Sequence, residues 1–295
     1  MNSLKSYIQD AKKRKVAIGH FNISDEAGLK AIFGAAQKLS GEAGRQIPII
    51  IGLSDGERKF VGVSQAAALV KSFQKEYQYP IFLNSDHTHD PEDIKKCVNA
   101  GFDAVLFDAG KLSLDENIQK TKEVVAWVRA NKPRVLVEGE LGFIGAGSVL
   151  LDKLPEGAAI REEDLTSPEQ VERFVKETGV DMVAPAVGNI HGMFKNAPNP
   201  NLSIKRIKEL KRSGKRPIVL HGGSGTSDAD FVAAIEAGVS IIHINTEIRR
   251  AWRSGVEAAL SANPDEIVPS KILQRAVDQM QDVVYRRLKL FNRMP

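Results

Sequence analysis

The sequence predicts an α/β fold in which parallel β/α units close into a (β/α)8 TIM barrel with a C-terminal helical extension. Three observations predict this fold. Short β-branched runs alternate with longer amphipathic stretches along the 295 residues. The strand-like runs are largely apolar and show no regular polar alternation, which is typical of parallel strands that are covered on both faces. Glycine and proline stand at the boundaries between the runs.

The strand-like runs number eight, which is the number of strands in such a barrel. They are Val16–Ile23, Pro48–Ser54, Ile81–Asp86, Ala104–Asp108, Arg134–Leu141, Met182–Val187, Pro217–Leu220 and Ile241–Thr246. Helix-like stretches lie near 25–40, 64–77, 91–99, 115–131, 168–178, 203–213, 228–237 and 247–261, and a helical tail covers about 268–291.

Capping signals mark several helix ends. Asp90 and Ser167 each stand directly before a proline, an order that is typical of an N-cap followed by the first helical position. Gly101 and Gly238 each follow an amphipathic stretch, as a C-terminal cap does. The signals therefore agree with the predicted alternation of strands and helices.

The length favours one domain over residues 1–295, because a barrel of this type takes about 250 residues. The connection at about 142–166 is far longer than the roughly 2–6 residues that usually link a strand to a helix. We expect it to be a mobile lid, with a passive insertion as the alternative. The helical tail at about 264–295 is a candidate for docking on a neighbouring subunit.

Composition excludes several classes of protein. Lys+Arg 41 against Asp+Glu 37 gives a net charge of +4, and hydrophobic residues make up 42%, so bulk disorder is excluded. The single cysteine, Cys97, excludes an internal disulfide framework. The basic run at 12–15 has no interleaved aromatic residues, and we interpret it as a solvated helix end. No run resembles a signal peptide or a membrane span, so we expect a soluble, cytoplasmic protein without nucleic acid or membrane partners.

Polar side chains cluster at the predicted carboxyl ends of the strands, where barrel enzymes place their active sites. They are Asp86, His87, Asp108, Glu138, Glu140, His191, His221, His243 and Asn245. His87, His191 and His221 end or follow the third, sixth and seventh strands, and three imidazoles converging on one mouth are typical of a catalytic zinc site. The residues alone leave Asp108 and Glu140 open as cation ligands, partners of ligands or members of salt bridges.

A glycine-rich turn follows the seventh strand. His221 is succeeded by Gly222, Gly223, Ser224 and a further glycine, and consecutive backbone amides in such a turn bind anions. Barrel enzymes often bind phosphate at the loops after the last two strands. We therefore predict a phosphate site here.

Eight segments, in order along essentially the whole chain, resemble the class II, zinc-dependent fructose/tagatose-bisphosphate aldolases. The segments are GHFNI at 19–23, IIIGLSDG at 49–56, SDHTHD at 85–90, GFDAVLFDAG at 101–110, VEGELG at 137–142, GNIHG at 188–192, LHGGSG at 220–225 and HINTEIR at 243–249. The resemblance implies reversible cleavage of a ketose 1,6-bisphosphate, with fructose 1,6-bisphosphate as the expected substrate. The products would be glycerone phosphate and glyceraldehyde 3-phosphate, formed through a zinc-stabilised enediolate.

The resemblance also implies roles for individual residues. His87, His191 and His221 would hold the catalytic zinc, and Asp86 would exchange the proton of the aldehyde oxygen. Asp108 and Glu140 would match a second, non-catalytic cation position. The residues implied in substrate binding are Ser54, Gly192, Gly222, Gly223, Ser224, His243, Ile244, Asn245 and Thr246. We further expect the protein to act in glycolysis, to take a phosphorylated sugar as substrate and to form a homodimer or homotetramer.

The sequence departs from the family pattern at three places. His243 stands where the family has an asparagine that contacts the substrate. FDAG replaces the usual IDGS. The lid lacks the usual acidic run after ELG, and Glu156, Glu162 and Glu163 are the candidates for moving the carbon-bound proton.

Three alternatives stay open. Tagatose bisphosphate differs from fructose bisphosphate in the stereochemistry of one carbon. A non-catalytic accessory subunit would share the fold, although the complete set of three histidines argues against it. A barrel metal hydrolase would use His87 together with His89, but that histidine pair belongs on a first strand, and here it follows the third.

Overall fold

The fold is a closed parallel β-barrel, seen in a computed structural model that describes residues 2–145, 147–154, 156–157 and 159–295. The barrel strands are β1 (Ile18–Asn22), β2 (Ile49–Leu53), β3 (Ile81–Thr88), β4 (Ala104–Phe107), β5 (Leu136–Leu141), β7 (Met182–Pro185), β9 (Ile218–Leu220) and β10 (Val239–Ile244). Two short strands, β6 (Leu150–Leu151) and β8 (Met193–Phe194), pair outside the barrel. The barrel order is β1-β10-β9-β7-β5-β4-β3-β2, so the predicted TIM barrel is confirmed.

Helices cover the outside of the barrel and close its lower end. They are α1 (Leu4–Arg14), α2 (Glu26–Ala43), α3 (Asp55–Val61), α4 (Val63–Tyr77), α5 (Pro91–Ala100), α6 (Leu114–Asn131), α7 (Pro168–Thr178), α8 (Ile204–Gly214), α9 (Asp228–Ala237), α10 (Thr246–Ala262) and α11 (Pro269–Phe291). Asp90 and Ser167 are N-caps, and Gly101 and Gly238 are C-caps. The predicted helix ends are therefore confirmed at these positions.

The sequence analysis missed two helices. Helix α1 buries Leu4, Ile8 and Ala11 against strand residues at the lower end of the barrel. Its last turn carries the basic run, and Lys15 caps it in a left-handed conformation, so the interpretation as a helix end is confirmed. Helix α3 follows β2 directly and has only 7 residues, which is too short for helical periodicity to stand out in a sequence.

The long connection at 142–166 is tied to the mouth of the barrel. Its β6 pairs in parallel with β8, and Thr166 Oγ1 donates to the Leu141 carbonyl at 2.7 Å, which joins the two ends of the connection. Ala146, Pro155 and Ala158, which belong to the predicted lid, lie outside the described residues. The lid function of this segment stays a prediction.

The C-terminal tail forms helix α11, which packs on α10 and α2. Its buried residues, Ala276, Met280, Val284, Leu288 and Phe291, recur every three or four positions, so one face of the helix is apolar. The face joins this chain's own core. Docking of the tail on another subunit stays a prediction. No helix in the described part of the chain is long and apolar enough to cross a membrane.

Asp103, in the turn before β4, predicts a pH dependence of stability. Its Oδ2 accepts a hydrogen bond from the Leu83 amide at 2.9 Å, and burial raises its pKa to about 6. The folded state therefore binds the proton more tightly than the unfolded state, so this group's contribution to stability falls as the pH rises from about 4 to about 6. Two pKa units correspond to at most about 3 kcal/mol.

We expect Asp103→Asn to stabilise the protein more at about pH 8 than at about pH 4, by about 1–3 kcal/mol. The asparagine keeps an oxygen acceptor for the Leu83 amide and carries no charge. Urea unfolding of the variant and the wild type at both pH values measures the difference. An equal change in the free energy of unfolding at the two pH values would refute the assignment.

Candidate active site

The end of β3 presents two neighbouring polar residues to the barrel mouth. His87 has a positive φ of 44°, a conformation that is uncommon for a residue other than glycine and that concentrates at functional sites. The buried Arg58 of α3 supports it, because its Nη1 donates to the Leu53 carbonyl at 2.6 Å and to the Asp86 carbonyl at 2.7 Å. Helix α3 thus fixes the backbone from which Asp86 and His87 project.

Four side chains converge at the centre of the mouth. One donor atom from each of His87, Glu140, His191 and His221 lies within 4.8 Å of the others. His87 Nε2 and His221 Nδ1 are 3.1 Å apart. The three histidines predicted from the strand ends therefore meet, and Glu140 joins them from β5.

Carboxylates bind the far nitrogens of two of these histidines. Asp108 Oδ2 lies 2.7 Å from His87 Nδ1, and Glu138 Oε1 lies 2.8 Å from His221 Nε2. A carboxylate on the far nitrogen fixes the orientation of an imidazole and leaves the near nitrogen free to bind a metal. In this geometry Asp108 is a partner of His87, while Glu140 lies in the cluster itself.

The charges in the cluster are those of a site built for a cation. Burial lowers the pKa of His191 well below its ordinary value, so this ring is neutral. Burial alone would lower the pKa of His87, but Asp86, Asp108 and Glu140 raise it to about 10. Burial and the nearby Asp108 raise the pKa of Glu140 well above its ordinary value. Positive charge on His87 thus offsets the carboxylates around it.

The donor set fits a divalent metal such as zinc. Three imidazoles and a carboxylate are ligands that zinc prefers. His191 Nε2 and Glu140 Oε2 are buried and have no hydrogen-bond partner among the described residues, and an unpaired buried polar atom costs about 1–3 kcal/mol. Both residues belong to the four-residue cluster, so a metal bound there would offer these atoms a partner.

Asp86 lies beside the cluster and is ionised. Asn22 Nδ2 donates to Asp86 Oδ2 at 2.9 Å. Burial alone would raise the pKa of Asp86, but the charge of His87 and the neighbouring imidazole of His243 hold it well below its ordinary value. An ionised carboxylate at this place is able to accept a proton from a hydroxyl group near the four-residue cluster.

A small cavity next to Asp86 collects most residues that the resemblance implies in substrate binding. It is lined by Gly192, Gly222, Gly223, Ser224, His243, Asn245 and Thr246, among others. A Cβ on Gly222 would stand 2.3 Å from the Ile190 carbonyl oxygen, so only glycine allows this close approach. Helix α10 begins at Thr246 beside the cavity, and a helix N-terminus attracts anions.

Ile244 contributes no side chain to this cavity. Its side chain is fully buried in the apolar core, and it is not among the residues that line the cavity. The reason is the alternation of side chains along β10, in which His243 faces the barrel interior and Ile244 faces the surrounding helices. Substrate binding by Ile244 would therefore involve its backbone, and it stays a prediction.

A larger cavity of about 280 Å³ opens beside the cluster. Ser54, Lys111 and Arg249 lie on its wall. Arg249 Nη2 contacts Glu57 Oε1 at 2.6 Å, and Glu57 Oε2 accepts from Asn22 at 2.8 Å. A chain of polar contacts therefore links the wall of this cavity to Asp86 through Asn22.

Sequence reasoning missed several residues of the site. Asn22, Glu57 and Arg249 lie in or next to the quoted segments, but only their neighbours were given roles. His20 lies in the first quoted segment without a role. It is buried, burial lowers its pKa to about 4, and its ring stacks on His243. Register explains the stack, because these two residues are direct neighbours on β1 and β10.

Other candidates lie away from the cluster. His89 is 63% exposed in its side chain and contacts the Asp108 carbonyl at 2.9 Å, so the geometry does not pair it with His87 around a metal. Glu162 forms an ion pair with Arg206, and Glu163 with Arg161. The geometry selects no lid glutamate for the carbon-bound proton, because neither of these two lies on the cavity wall and Glu156 is exposed.

Comparisons with known proteins agree with this geometry. The "Probable fructose-bisphosphate aldolase" of Bacillus subtilis (strain 168) is 32% identical over 98% of this chain and 96% of its own length. The "6-phospho-5-dehydro-2-deoxy-D-gluconate aldolase" of the same organism is 34% identical over 98% of this chain and 94% of its own. The crystal structure of the YdjI aldolase from Escherichia coli K12 superposes with a TM-score of 0.80 at 26% identity, covering 99% of this chain and 97% of that one. The family model "Fructose-bisphosphate aldolase class-II" matches residues 2–294. The chain therefore belongs to the class II fructose-bisphosphate aldolase family, whose members are carbon–carbon lyases.

Proposed function

We propose that this aldolase is zinc-dependent and reversibly cleaves a ketose 1,6-bisphosphate, with fructose 1,6-bisphosphate as the first candidate, into glycerone phosphate and glyceraldehyde 3-phosphate. The observation that carries the proposal is the convergence of His87, His191, His221 and Glu140 next to the ionised Asp86. Those four residues would hold the metal. When bound, zinc supplies Lewis-acid polarisation of the ketone and offsets the negative charge that develops there.

Asp86 would carry the proton of the bond-breaking step. It takes the proton of the C4 hydroxyl, whose oxygen becomes the aldehyde carbonyl as the C3–C4 bond breaks. The electron pair of that bond passes into the neighbouring ketone and gives the enediolate of glycerone phosphate, which is then protonated at carbon. A carboxylate in this position contributes about 10²–10⁴-fold to the rate.

The two cavities would bind the two ends of the substrate. The cradle of Gly222, Gly223 and Ser224 at the start of α10 suits the phosphate on the ketone half. Arg249 on the wall of the larger cavity suits the acidic group at the far end, because a guanidinium binds a phosphate or a carboxylate through two parallel hydrogen bonds. Ser54 lines the same cavity and would contact the aldehyde half.

A second candidate substrate comes from a relative. The gluconate aldolase of Bacillus subtilis is 34% identical to this chain. The substrate in its name is a phosphorylated gluconate, which has a carboxylate at the end where fructose 1,6-bisphosphate has its second phosphate. The far cation, Arg249, would accept either group. Tagatose 1,6-bisphosphate is the third candidate. The proposal also includes a place in cytoplasmic sugar metabolism and assembly as a homodimer or homotetramer.

The substrate is tested by measuring glycerone phosphate release from the three candidates by the purified, zinc-loaded protein. We expect fructose 1,6-bisphosphate to have the highest kcat/KM. A higher value for 6-phospho-5-dehydro-2-deoxygluconate or tagatose 1,6-bisphosphate would transfer the assignment to that substrate. Release from none of the three would refute the proposed reaction and favour the accessory-subunit alternative.

The role of Arg249 is tested with a substrate that lacks the far phosphate. We expect Arg249→Met to lower kcat/KM for fructose 1,6-bisphosphate by about 10²-fold, since a charge-assisted contact contributes about 1.5–3 kcal/mol. Fructose 1-phosphate turnover should change by less than about threefold. Arg250, the exposed neighbour on the same helix, provides the matched control Arg250→Met. An equal loss of kcat/KM with both substrates would show that Arg249 does not bind the far phosphate.

A further inference from the structure

A second group of unpaired polar atoms lies behind Asp86. His20 Nδ1, Asp86 Oδ1 and His243 Nδ1 are buried and lack a well-aligned hydrogen-bond partner among the described residues. One ring nitrogen or carboxylate oxygen from each of these three side chains lies within 4.8 Å of the others. Buried polar atoms are almost always paired, so this convergence requires an explanation.

The arrangement of the two rings argues against a metal at this point. The His20 and His243 rings stack with centroids 3.4 Å apart and planes 3° from parallel. The lone pair of an imidazole nitrogen lies in the plane of its ring. In two parallel, stacked rings the lone pairs point side by side, and they do not converge on one ion.

Hydrogen bonding between His243 and Asp86 explains two of these three atoms, His243 Nδ1 and Asp86 Oδ1. His243 Nδ1 stands 3.3 Å from Asp86 Oδ1, while Asn22 already donates to Oδ2. A contact of 3.3 Å is slightly long, and hydrogen bonds in free enzymes often tighten only when the substrate binds. With both contacts formed, each oxygen of the Asp86 carboxylate has a donor, and the rotation of the carboxylate is fixed.

The sequence builds this stack through three strands. His20 and His243 are register partners on β1 and β10. Asn84 Nδ2 lies 3.1 Å from His20 Nε2, and when the amide donates there, the neutral His20 ring carries its proton on Nδ1. Gly52 on β2 leaves the space for His20, because a Cβ there would stand 2.1 Å from His20 Cε1.

We propose that His243, supported from below by His20, is a positioning residue that holds the Asp86 carboxylate for proton transfer with the aldehyde oxygen. The inference rests on the proposed aldol cleavage. It differs from the role that the resemblance implies for residue 243, because the histidine acts on Asp86 and not on the ketone half of the substrate. His20 provides the surface that keeps the His243 ring in place.

The two roles are separated by two reactions of the same protein. Cleavage of the bisphosphate needs Asp86, because a hydroxyl proton must leave the aldehyde half. Exchange of the carbon-bound proton of glycerone phosphate with D2O involves only the ketone half and does not need Asp86. A residue that positions Asp86 affects cleavage alone, and a residue that contacts the ketone half affects both reactions.

We therefore expect His243→Phe, which retains the stack and removes the donor, to lower kcat for cleavage by about 10²-fold. KM and the rate of D2O exchange should change by less than about threefold. His243→Asn retains an amide donor and should recover cleavage to within about tenfold of the wild type. His20→Leu should lower cleavage by a smaller factor and leave exchange unchanged.

Nuclear magnetic resonance of the zinc-loaded protein with ¹⁵N-labelled histidine gives a readout that is independent of turnover. We expect a protonated Nδ1 signal that His243→Phe removes and Asp86→Asn shifts, with the bound zinc unchanged at each substitution.

The proposal would be overturned if His243→Phe lowered cleavage and exchange together, or if it left cleavage unchanged. It would also be overturned if the His243 signal did not respond to Asp86→Asn. If the wild type were inactive in both reactions, the proposed aldol reaction would be refuted. The contact between His243 and Asp86 would then have no role in catalysis. The resonance measurement would then still decide whether His243 is bonded to Asp86.

Discussion

Replacement of His221 by alanine is expected to remove the bound zinc and to lower kcat/KM for bisphosphate cleavage by at least about 10³-fold. The side chain is fully buried between His87 Nε2 at 3.1 Å and Glu138 Oε1 at 2.8 Å. Its loss removes one of three imidazole donors and leaves Glu138 without a partner. Lewis-acid stabilisation contributes several kcal/mol, and each 1.36 kcal/mol corresponds to a factor of about ten in rate.

Metal content and turnover are measured on the same preparation, with circular dichroism as the test that the variant is folded. His221→Gln serves as a second variant because it fills more of the space than alanine. His89→Ala is the matched control for metal content, since its side chain is 63% exposed and lies outside the four-residue cluster. Full metal content and full turnover in His221→Ala would contradict the assignment of His221 as a ligand.

Substitution of Asp86 is expected to separate metal binding from catalysis. Asp86→Asn retains the shape and the contact with Asn22 but removes the carboxylate that accepts the proton, and Asp86→Ala removes both. We expect kcat for cleavage to fall by about 10²–10⁴-fold in both variants. Zinc content should stay unchanged, because Asp86 is not a member of the cluster formed by His87, His191, His221 and Glu140.

Steady-state kinetics over a range of bisphosphate concentrations measures this effect, with zinc content determined in parallel. A kcat equal to that of the wild type would exclude Asp86 as the proton carrier. Loss of zinc together with activity would show that Asp86 acts in metal binding, and the proton carrier would then have to be sought elsewhere on the cavity wall.

The convergence of the histidines could be predicted from the sequence for a simple physical reason. Parallel strands of a closed barrel all end at the same rim, so residues at the ends of different strands meet regardless of their separation in sequence. His87, His191 and His221 are 134 positions apart at the extremes, yet their strand ends alone place them together. The same reasoning predicted that Asp86 and the glycine-rich turn after His221 lie at this rim.

Contacts that depend on register could not be predicted in this way. The stack of His20 on His243 requires that β1 lie beside β10 with those two residues opposite each other. A shift of one residue would turn the side chains to opposite faces. Strand order follows from barrel closure, but the register was not read from the sequence.

Side-chain direction limited the sequence reasoning in a second way. The resemblance grouped Asp108 with Glu140 at a second cation position, and the residues alone left the roles of both carboxylates open. In the structure Asp108 Oδ2 contacts His87 Nδ1, while Glu140 Oε2 has no hydrogen-bond partner among the described residues and lies in the histidine cluster. Which carboxylate orients a ligand and which is a donor depends on rotamers, and spacing along the chain does not determine them.

The sequence analysis missed the proposed far subsite because it did not predict helix α3. Its 7 residues carry Glu57 and Arg58, which connect to Arg249 and to the backbone of Asp86. A segment that short has too few turns for a periodic pattern, so it was not among the predicted helices. Arg249 therefore stood in a quoted segment without a role.

The most direct test of the account is triose-phosphate release from fructose 1,6-bisphosphate by the purified protein, measured as isolated, after removal of metal by a chelator, and after return of zinc. The account predicts release that disappears with the metal and is restored by zinc. Release that persists at full rate in protein shown to be free of metal would contradict it, because the cluster of three histidines and Glu140 would then have no part in the cleavage.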